Sequence, residues 1–185
     1  MKDIIFHYRK SVLALFDRNF EKKLLELNNL IIKTIKKKNK IFLCGNGGSA
    51  ANCNHIENDF LCVLPRYKKY KKLYIRSLAS NPANLTCIAN DYSYEEIFSK
   101  QIFTLGKKGD LLIVLSGSGN SRNVIEAIKL AKKIKINTFS IVGYDGGKCK
   151  RISNNFLHIK INDMQICEDF QLIIFHICLK YLLRK

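Results

Sequence analysis

The chain lacks any apolar run approaching the ~20 residues that a membrane span needs, so a membrane-embedded protein is not expected. It begins Met-Lys-Asp-Ile-Ile-Phe-His, without a signal-peptide pattern, and a cytoplasmic location is the expectation. It lacks a CxxC pair, since its seven cysteines, Cys44, Cys53, Cys62, Cys87, Cys149, Cys167 and Cys178, are odd in number and scattered. Such usage fits reduced thiols, mostly buried as small apolar groups, better than a disulfide framework or a zinc ribbon. Acidic residues are few: 15 Asp+Glu against 32 Lys+Arg leave a net charge of +17. That excess attracts polyanions at low salt. Its lysines nevertheless fall in short clusters, Lys36-Lys37-Lys38 with Lys40, Lys68-Lys69 with Lys71-Lys72, Lys107-Lys108 and Lys132-Lys133. Each sits where a helix ends or a loop begins, which suits helix C-termini and solvated connections. No nucleic-acid-binding motif accompanies them, so a nucleic-acid partner is not expected.

What is present reads as one soluble domain. At 185 residues, 47% apolar and 25% charged, the chain can bury a single good core. From about Ile4 to Lys37, apolar residues recur at helical spacing (Leu13, Phe16, Phe20, Leu24, Leu27, Ile31), which predicts one long or two shorter amphipathic helices. His7 has no visible partner there and is read as structural or solvated. The runs Ile41–Cys44, Leu73–Leu78, Leu111–Leu115, Thr138–Val142 and Phe156–Ile161 read as strands. Leu64-Pro65 ends regular structure, and Ser80-Asn81-Pro82 opens a helix. Asn90-Asp91 reads as a turn, and Ser93 with Glu96 as a capping box before a helix Tyr94–Leu105. The repeat of strand, glycine turn and helix specifies an α/β doubly wound parallel sheet of five strands, with ligands at the carboxyl ends of the strands.

Two of the strand exits carry chemistry. Gly45-Asn46-Gly47-Gly48-Ser49 follows the first strand. Its glycines permit close backbone approach, and the helix beyond offers unpaired N–H groups. On that helix His55 and Asp59 are four apart and share a face. Ser116-Gly117-Ser118-Gly119-Asn120-Ser121 follows the third strand and makes a cradle of hydroxyl and N–H donors suited to phosphate. There is no Gly-Lys-Ser/Thr, and the glycine spacing fails the dinucleotide fingerprint, so a phosphomonoester on a small molecule is the better fit. Asp145-Gly146-Gly147-Lys148 is a third glycine-rich exit. His158 on the outer strand is read as structural. The last helix, Met164 to Leu183, is apolar on nearly every side, as if buried by another subunit as well as its own domain. Glu168 and His176 are polar groups in that company and want partners, a backbone carbonyl being one option for the imidazole.

Taken in order, Gly45-Asn46-Gly47-Gly48-Ser49-Ala50-Ala51 with His55, Asn90-Asp91-Tyr92, the Ser116–Ser121 loop, Asp145-Gly146-Gly147-Lys148 and Phe175-His176-Ile177 resemble the phosphoheptose isomerases, which are sugar isomerase (SIS) domain proteins. The resemblance implies an N-terminal helical arm over residues 1–38 and a SIS domain over 39–185. It implies a homotetramer with sites shared between subunits, converting sedoheptulose 7-phosphate to glycero-manno-heptose 7-phosphate for bacterial surface glycans such as lipopolysaccharide. It places Asn46, Gly47, Gly48 and Ser49 on the sugar, Asn90 and Asp91 on its hydroxyls, and Ser116, Gly117, Ser118 and Ser121 on the phosphate. Asp59 is then the base and His176 the acid or second base. His55, Asp59, Glu168 and His176 form a ligand set for an optional zinc, with Glu168 also near the substrate.

The sequence departs from that family twice. Asp59 stands where glutamate is usual, and Glu168 where glutamine is usual. Aspartate reaches one methylene less far, and an error of ~1 Å can cost ~100-fold in rate. Residues eight apart on a helix lie about 12 Å apart along its axis, so one metal is not expected to take both Glu168 and His176 from a single copy. That predicts a site built from two chains, with the imidazole supplied across a subunit boundary. Two other readings stand beside the isomerase: a non-catalytic SIS module that binds a sugar phosphate or a protein of replication initiation, and a basic nucleic-acid-binding surface with steeply salt-dependent affinity.

Overall fold

A computed structural model describes residues 1–66 and 72–184. The N-terminal periodicity resolves into two helices, α1 (Lys2–Ala14) and α2 (Arg18–Lys36). They part at Asp17, whose carboxylate accepts from the Phe20 N–H at 2.6 Å and caps α2. The order continues β1 (Lys40–Cys44), α3 (Gly48–Val63), a short 3-10 turn Leu64–Arg66, β2 (Tyr74–Ser77) and α4 (Pro82–Asp91). A second 3-10 turn, Tyr94–Glu96, precedes α5 (Ser99–Leu105), β3 (Leu111–Ser116) and α6 (Arg122–Lys133). The chain ends with β4 (Asn137–Val142), α7 (Gly147–Ile152), β5 (Asn155–His158) and α8 (Met164–Arg184).

All strand pairs are parallel, in the order β2-β1-β3-β4-β5. Alternate residues of the three inner strands feed two cores. Ile41, Leu43, Ile113, Leu115, Phe139 and Ile141 pack against α2, α3 and α8. Phe42, Cys44, Leu112, Val114 and Val142 pack against α6 and the segment around α5. The middle strand β3 is buried from Leu111 to Leu115 on both faces, which is why it reads as an unbroken apolar run. After β1 the chain crosses by α3 on one face toward β2. After β3 it crosses by α6 on the other face toward β4. The carboxyl ends of β1 and β3 therefore border a topological switch point, where ligands enter open α/β sheets.

Several local expectations change. Asn90 and Asp91 are the last two residues of α4, not a turn. Ser93 makes no side-chain cap bond, and the expected helix from Tyr94 is a 3-10 turn followed by a separate, shorter α5. With only three residues before the chain turns again, Glu96 bonds backbone to backbone with the Ser93 carbonyl at 3.1 Å. The outer strand stops at His158, whose ring bonds the Tyr144 carbonyl at 2.8 Å. His7 is exposed and bonds the Asp3 carbonyl at 2.7 Å. Lys33 and Lys36 lie in the last turn of α2 and Lys132 and Lys133 in that of α6, as the charge pattern suggests. Lys68, Lys69 and Lys71 lie outside the described residues. Among the described residues all seven cysteines are free, five of them buried, with Cys62 and Cys87 exposed. Burial pushes the Cys149 and Cys178 thiols up to about 12. No helix among the described residues is long and apolar enough to cross a membrane.

Candidate active site

The turn after β1 is built for close approach. Gly47 has φ +55 and ψ −127, a conformation that disfavours side chains, and it leads directly into the first turn of α3. Asn46 faces the start of α6 across the switch point. Its Nδ2 donates to Asn123 Oδ1 at 2.9 Å, and Asn123 Nδ2 donates back to Asn46 Oδ1 at 2.8 Å. Tyr94 OH donates to the same Asn46 oxygen at 3.2 Å. This amide pair joins the Asn46–Ser49 turn to the far end of the Ser116–Ser121 loop, so the two motifs border one cleft. Ser49 is buried, and its hydroxyl accepts from Gln171 Nε2 at 3.0 Å, while Gln171 Oε1 accepts from Asn52 Nδ2 at 2.9 Å. That network fixes the opening of α3 against α8.

In the second loop, Ser116 Oγ accepts the Gly119 N–H at 3.1 Å and Ser118 Oγ the Asn120 N–H at 3.2 Å. Both hydroxyls keep their own protons to donate. Ser121 is the N-cap residue of α6 and makes no side-chain cap bond. The loop dovetails with the turn after β4: Gly143 N donates to Gly117 O at 2.8 Å, Cys149 N to Gly119 O at 2.9 Å and Lys148 N to Asn120 Oδ1 at 2.9 Å. The glycine-rich exit at Asp145–Lys148 thus buttresses the cradle.

His55, Asp59 and His176 converge within one chain. Their ligating atoms all lie within 4.8 Å of one another. His55 Nε2 is 3.2 Å from His176 Nε2, and Asp59 Oδ2 is 3.4 Å from each ring. Both rings are about half exposed, at 47%, and the carboxylate less so, at 23%, so the cluster opens to solvent on the face where α3 and α8 run side by side. The edge of a tetrahedron around zinc with ~2.05 Å bonds is about 3.3 Å, so two imidazoles and one carboxylate at these spacings fit zinc with a fourth position open.

The geometry corrects two expectations. The imidazole of His176 meets Asp59 in the same chain and needs no second subunit to reach it. Glu168 stands apart from the cluster. Its carboxylate lies over Gly48, where an alanine Cβ would come within 2.3 Å of Oε2, and its backbone carbonyl accepts from Asn52 Nδ2 at 2.9 Å. The separation along α8 anticipated from the sequence is what keeps Glu168 and His176 apart. Asn90 and Asp91 are exposed and engage each other, Asn90 Nδ2 donating to Asp91 Oδ1 at 2.9 Å. That bond, with a second from the Cys87 thiol, holds the Asp91 carboxyl below its ordinary range. Their segment reaches the cleft through Tyr94. Sequence reasoning missed Tyr94, Asn123, Asn52 and Gln171. Tyr94 was hidden in an expected helix, and the other three looked like ordinary helix residues.

Three comparisons bear on this arrangement. The SIS domain family model matches residues 6–143. A phosphoheptose isomerase of Helicobacter pylori is 41% identical over 150 residues, 80% of this chain and 77% of that protein. One of Aliarcobacter butzleri is 35% identical over 177 residues, 95% and 91% of the two chains. Among solved structures, the phosphoheptose isomerase GmhA of Neisseria gonorrhoeae superimposes with a TM-score of 0.87 at 28% identity, covering 100% of this chain and 98% of that one.

Proposed function

Because the chain belongs to the phosphoheptose isomerase family of SIS-domain proteins, we propose that it is an aldose–ketose isomerase. It interconverts sedoheptulose 7-phosphate and D-glycero-D-manno-heptose 7-phosphate through an enediol. The observation that carries the chemistry is the meeting of Asp59 with two imidazoles at 3.4 Å in a chain that also holds a serine-rich loop at the switch point.

Isomerisation removes a proton from C1 of the ketose, forms a 1,2-enediol, and returns a proton to C2 while O1 loses its own to become the aldehyde. No oxidant or reductant is consumed. Asp59 is the base at carbon, and His176 transfers the proton between the two oxygens. Asn46, Gly47, Gly48 and Ser49 hold the sugar, Asn90 and Asp91 approach its hydroxyls, and Glu168 lies beside the opening of α3. Ser116, Gly117, Ser118 and Ser121 grip the phosphate, whose charge is further offset by the start of α6. A binding module would have no use for a carboxylate and two imidazoles in contact.

Zinc held by His55, Asp59 and His176 would supply a Lewis acid that polarises a substrate oxygen in place of the His176 proton, and would leave the second carboxylate oxygen of Asp59 as the base. Exposed apolar residues on α1, Ile4, Ile5, Phe6 and Leu13, suit an N-terminal arm (residues 1–38) that packs on other copies of the chain in a homotetramer. The setting is the cytoplasm, in the supply of heptose for surface glycans. The test is incubation with sedoheptulose 7-phosphate while aldose formation is followed. Asp59→Asn and His176→Ala are each expected to lose roughly 100-fold or more in kcat, the usual contribution of a positioned acid or base. A wild type without turnover would overturn the reading.

A further inference from the structure

The amide pair across the cleft has a polarity that can be worked out. The Val124 backbone N–H lies 2.9 Å from one side-chain atom of Asn123. A backbone N–H only donates, so that atom is Oδ1, and the Asn123 amide has one orientation. Its Nδ2 then faces Asn46 at 2.8 Å, which makes the facing atom Asn46 Oδ1. Asn46 Nδ2 returns a bond to Asn123 Oδ1 at 2.9 Å. Tyr94 OH, 3.2 Å from the same Asn46 oxygen, must therefore be a donor as well. Asn46 Oδ1 takes two donors, a full complement for a carbonyl oxygen, and Nδ2 spends one of its two protons. What remains for a ligand is a single N–H and no acceptor.

We propose that Asn123, held by the Val124 N–H and assisted by Tyr94, is a positioning residue that fixes Asn46 as a hydrogen-bond donor to an acceptor oxygen of the sugar. The proposal rests on the isomerase reading above. The acceptor it suits is the carbonyl oxygen of the open-chain sugar, which has lone pairs only and gains negative charge as the enediol forms. A donor aimed where charge develops strengthens in the transition state, so its loss appears in kcat more than in KM. Asn123 is 2% exposed, which keeps water from offering Asn46 a competing orientation.

The experiment reads Asn46 directly. In isotope-labelled protein, with its side-chain signal identified by its disappearance in Asn46→Ser, the two Nδ2 protons of wild type should exchange with solvent at clearly different rates. One is held by Asn123 and the other is free. Asn123→Asp keeps the shape and the bond from Val124, yet sets an oxygen against Asn46 Oδ1 in either amide orientation. It should leave one Nδ2 proton held by the retained oxygen while the second carboxylate oxygen repels the Asn46 carbonyl, and so lower kcat for sedoheptulose 7-phosphate by about 10–100-fold with KM changed less than about threefold. Tyr94→Phe, at a ring that is 60% exposed, leaves the fold unaffected, and it should preserve the exchange difference while lowering kcat about two- to fivefold. Equal exchange of the two protons in wild type, or a folded Asn123→Asp with unchanged kcat, would overturn the proposal. A wild type that turns over no heptulose phosphate would sink the isomerase reading alone, and the exchange measurement would still decide whether Asn123 sets the amide.

Discussion

Replacing Gly119 by alanine probes how tightly the serine loop is wedged against its neighbour. Gly119 has φ +65, and a Cβ built there would stand 2.2 Å from the Gly146 carbonyl oxygen and 3.1 Å from the Gly147 nitrogen. Left-handed backbone costs a residue with a side chain about 1–2 kcal/mol, and a clash against backbone that must shift adds about 1–3 kcal/mol. A loss of about 3–4 kcal/mol is expected, or ~10 °C in Tm for a chain of this size. Gly47→Ala is the control, because its φ is +55 but a Cβ would meet nothing within 4 Å. It carries backbone strain, at φ +55 and ψ −127, without collision. Denaturant unfolding measures both variants. The Gly119 carbonyl also accepts from Cys149 N, and its N–H donates to Ser116 Oγ, so moving it disturbs the cradle, and KM for a phosphorylated sugar should rise more than tenfold. A Gly119→Ala protein within about 0.5 kcal/mol of wild type, the ordinary range of surface changes, would refute the dovetailed-loop account.

The metal reading makes a prediction that does not depend on turnover. At a zinc concentration ~100-fold above Kd, a site present only in the folded protein adds about 2.7 kcal/mol, which is ~5–10 °C in Tm. His55→Ala and His176→Ala should each remove that zinc-dependent gain, and an unchanged gain in both would place any zinc elsewhere. His158 supplies a pH signature. Burial first, then the Lys150 ammonium near Nδ1 at 3.2 Å, lowers its pKa in the fold, so the unfolded chain binds the proton more readily. Its contribution is present above the unfolded value of about 6.5 and is lost as pH falls below it. Wild type is expected to lose Tm between pH 7.5 and 5, and His158→Gln should flatten that decline; an equal decline in both would remove His158 as its source.

How much of this was legible in advance follows from what kind of information each feature needs. The five strands, the amphipathic helices and the glycine exits are local patterns. β3 reads as buried because both its faces are covered, and α6 as amphipathic because Val124, Ala127, Ile128 and Ala131 fall on one side. Boundaries suffered where local signals compete. Asn90 and Asp91, good turn residues, finish a helix instead, and the Ser93–Glu96 pattern caps nothing with its side chain. Two chemical clusters, the serine loop and the Asn46–Ser49 turn, were visible from composition and spacing alone.

The amino-acid order by itself determined an alternating α/β sheet with donor-rich loops at its strand ends, because periodicity and backbone freedom act over a few residues. Which loops would meet was decided only by the strand order, which sets β1 beside β3 and brings Asn46 to Asn123 across 77 positions. The parallel packing of α3 on α8 likewise decided that His176, 121 positions beyond His55, reaches Asp59 in the same chain while Glu168 does not. Side-chain contact at that range depends on how whole elements stack against a common core, and no short stretch of sequence carries that information.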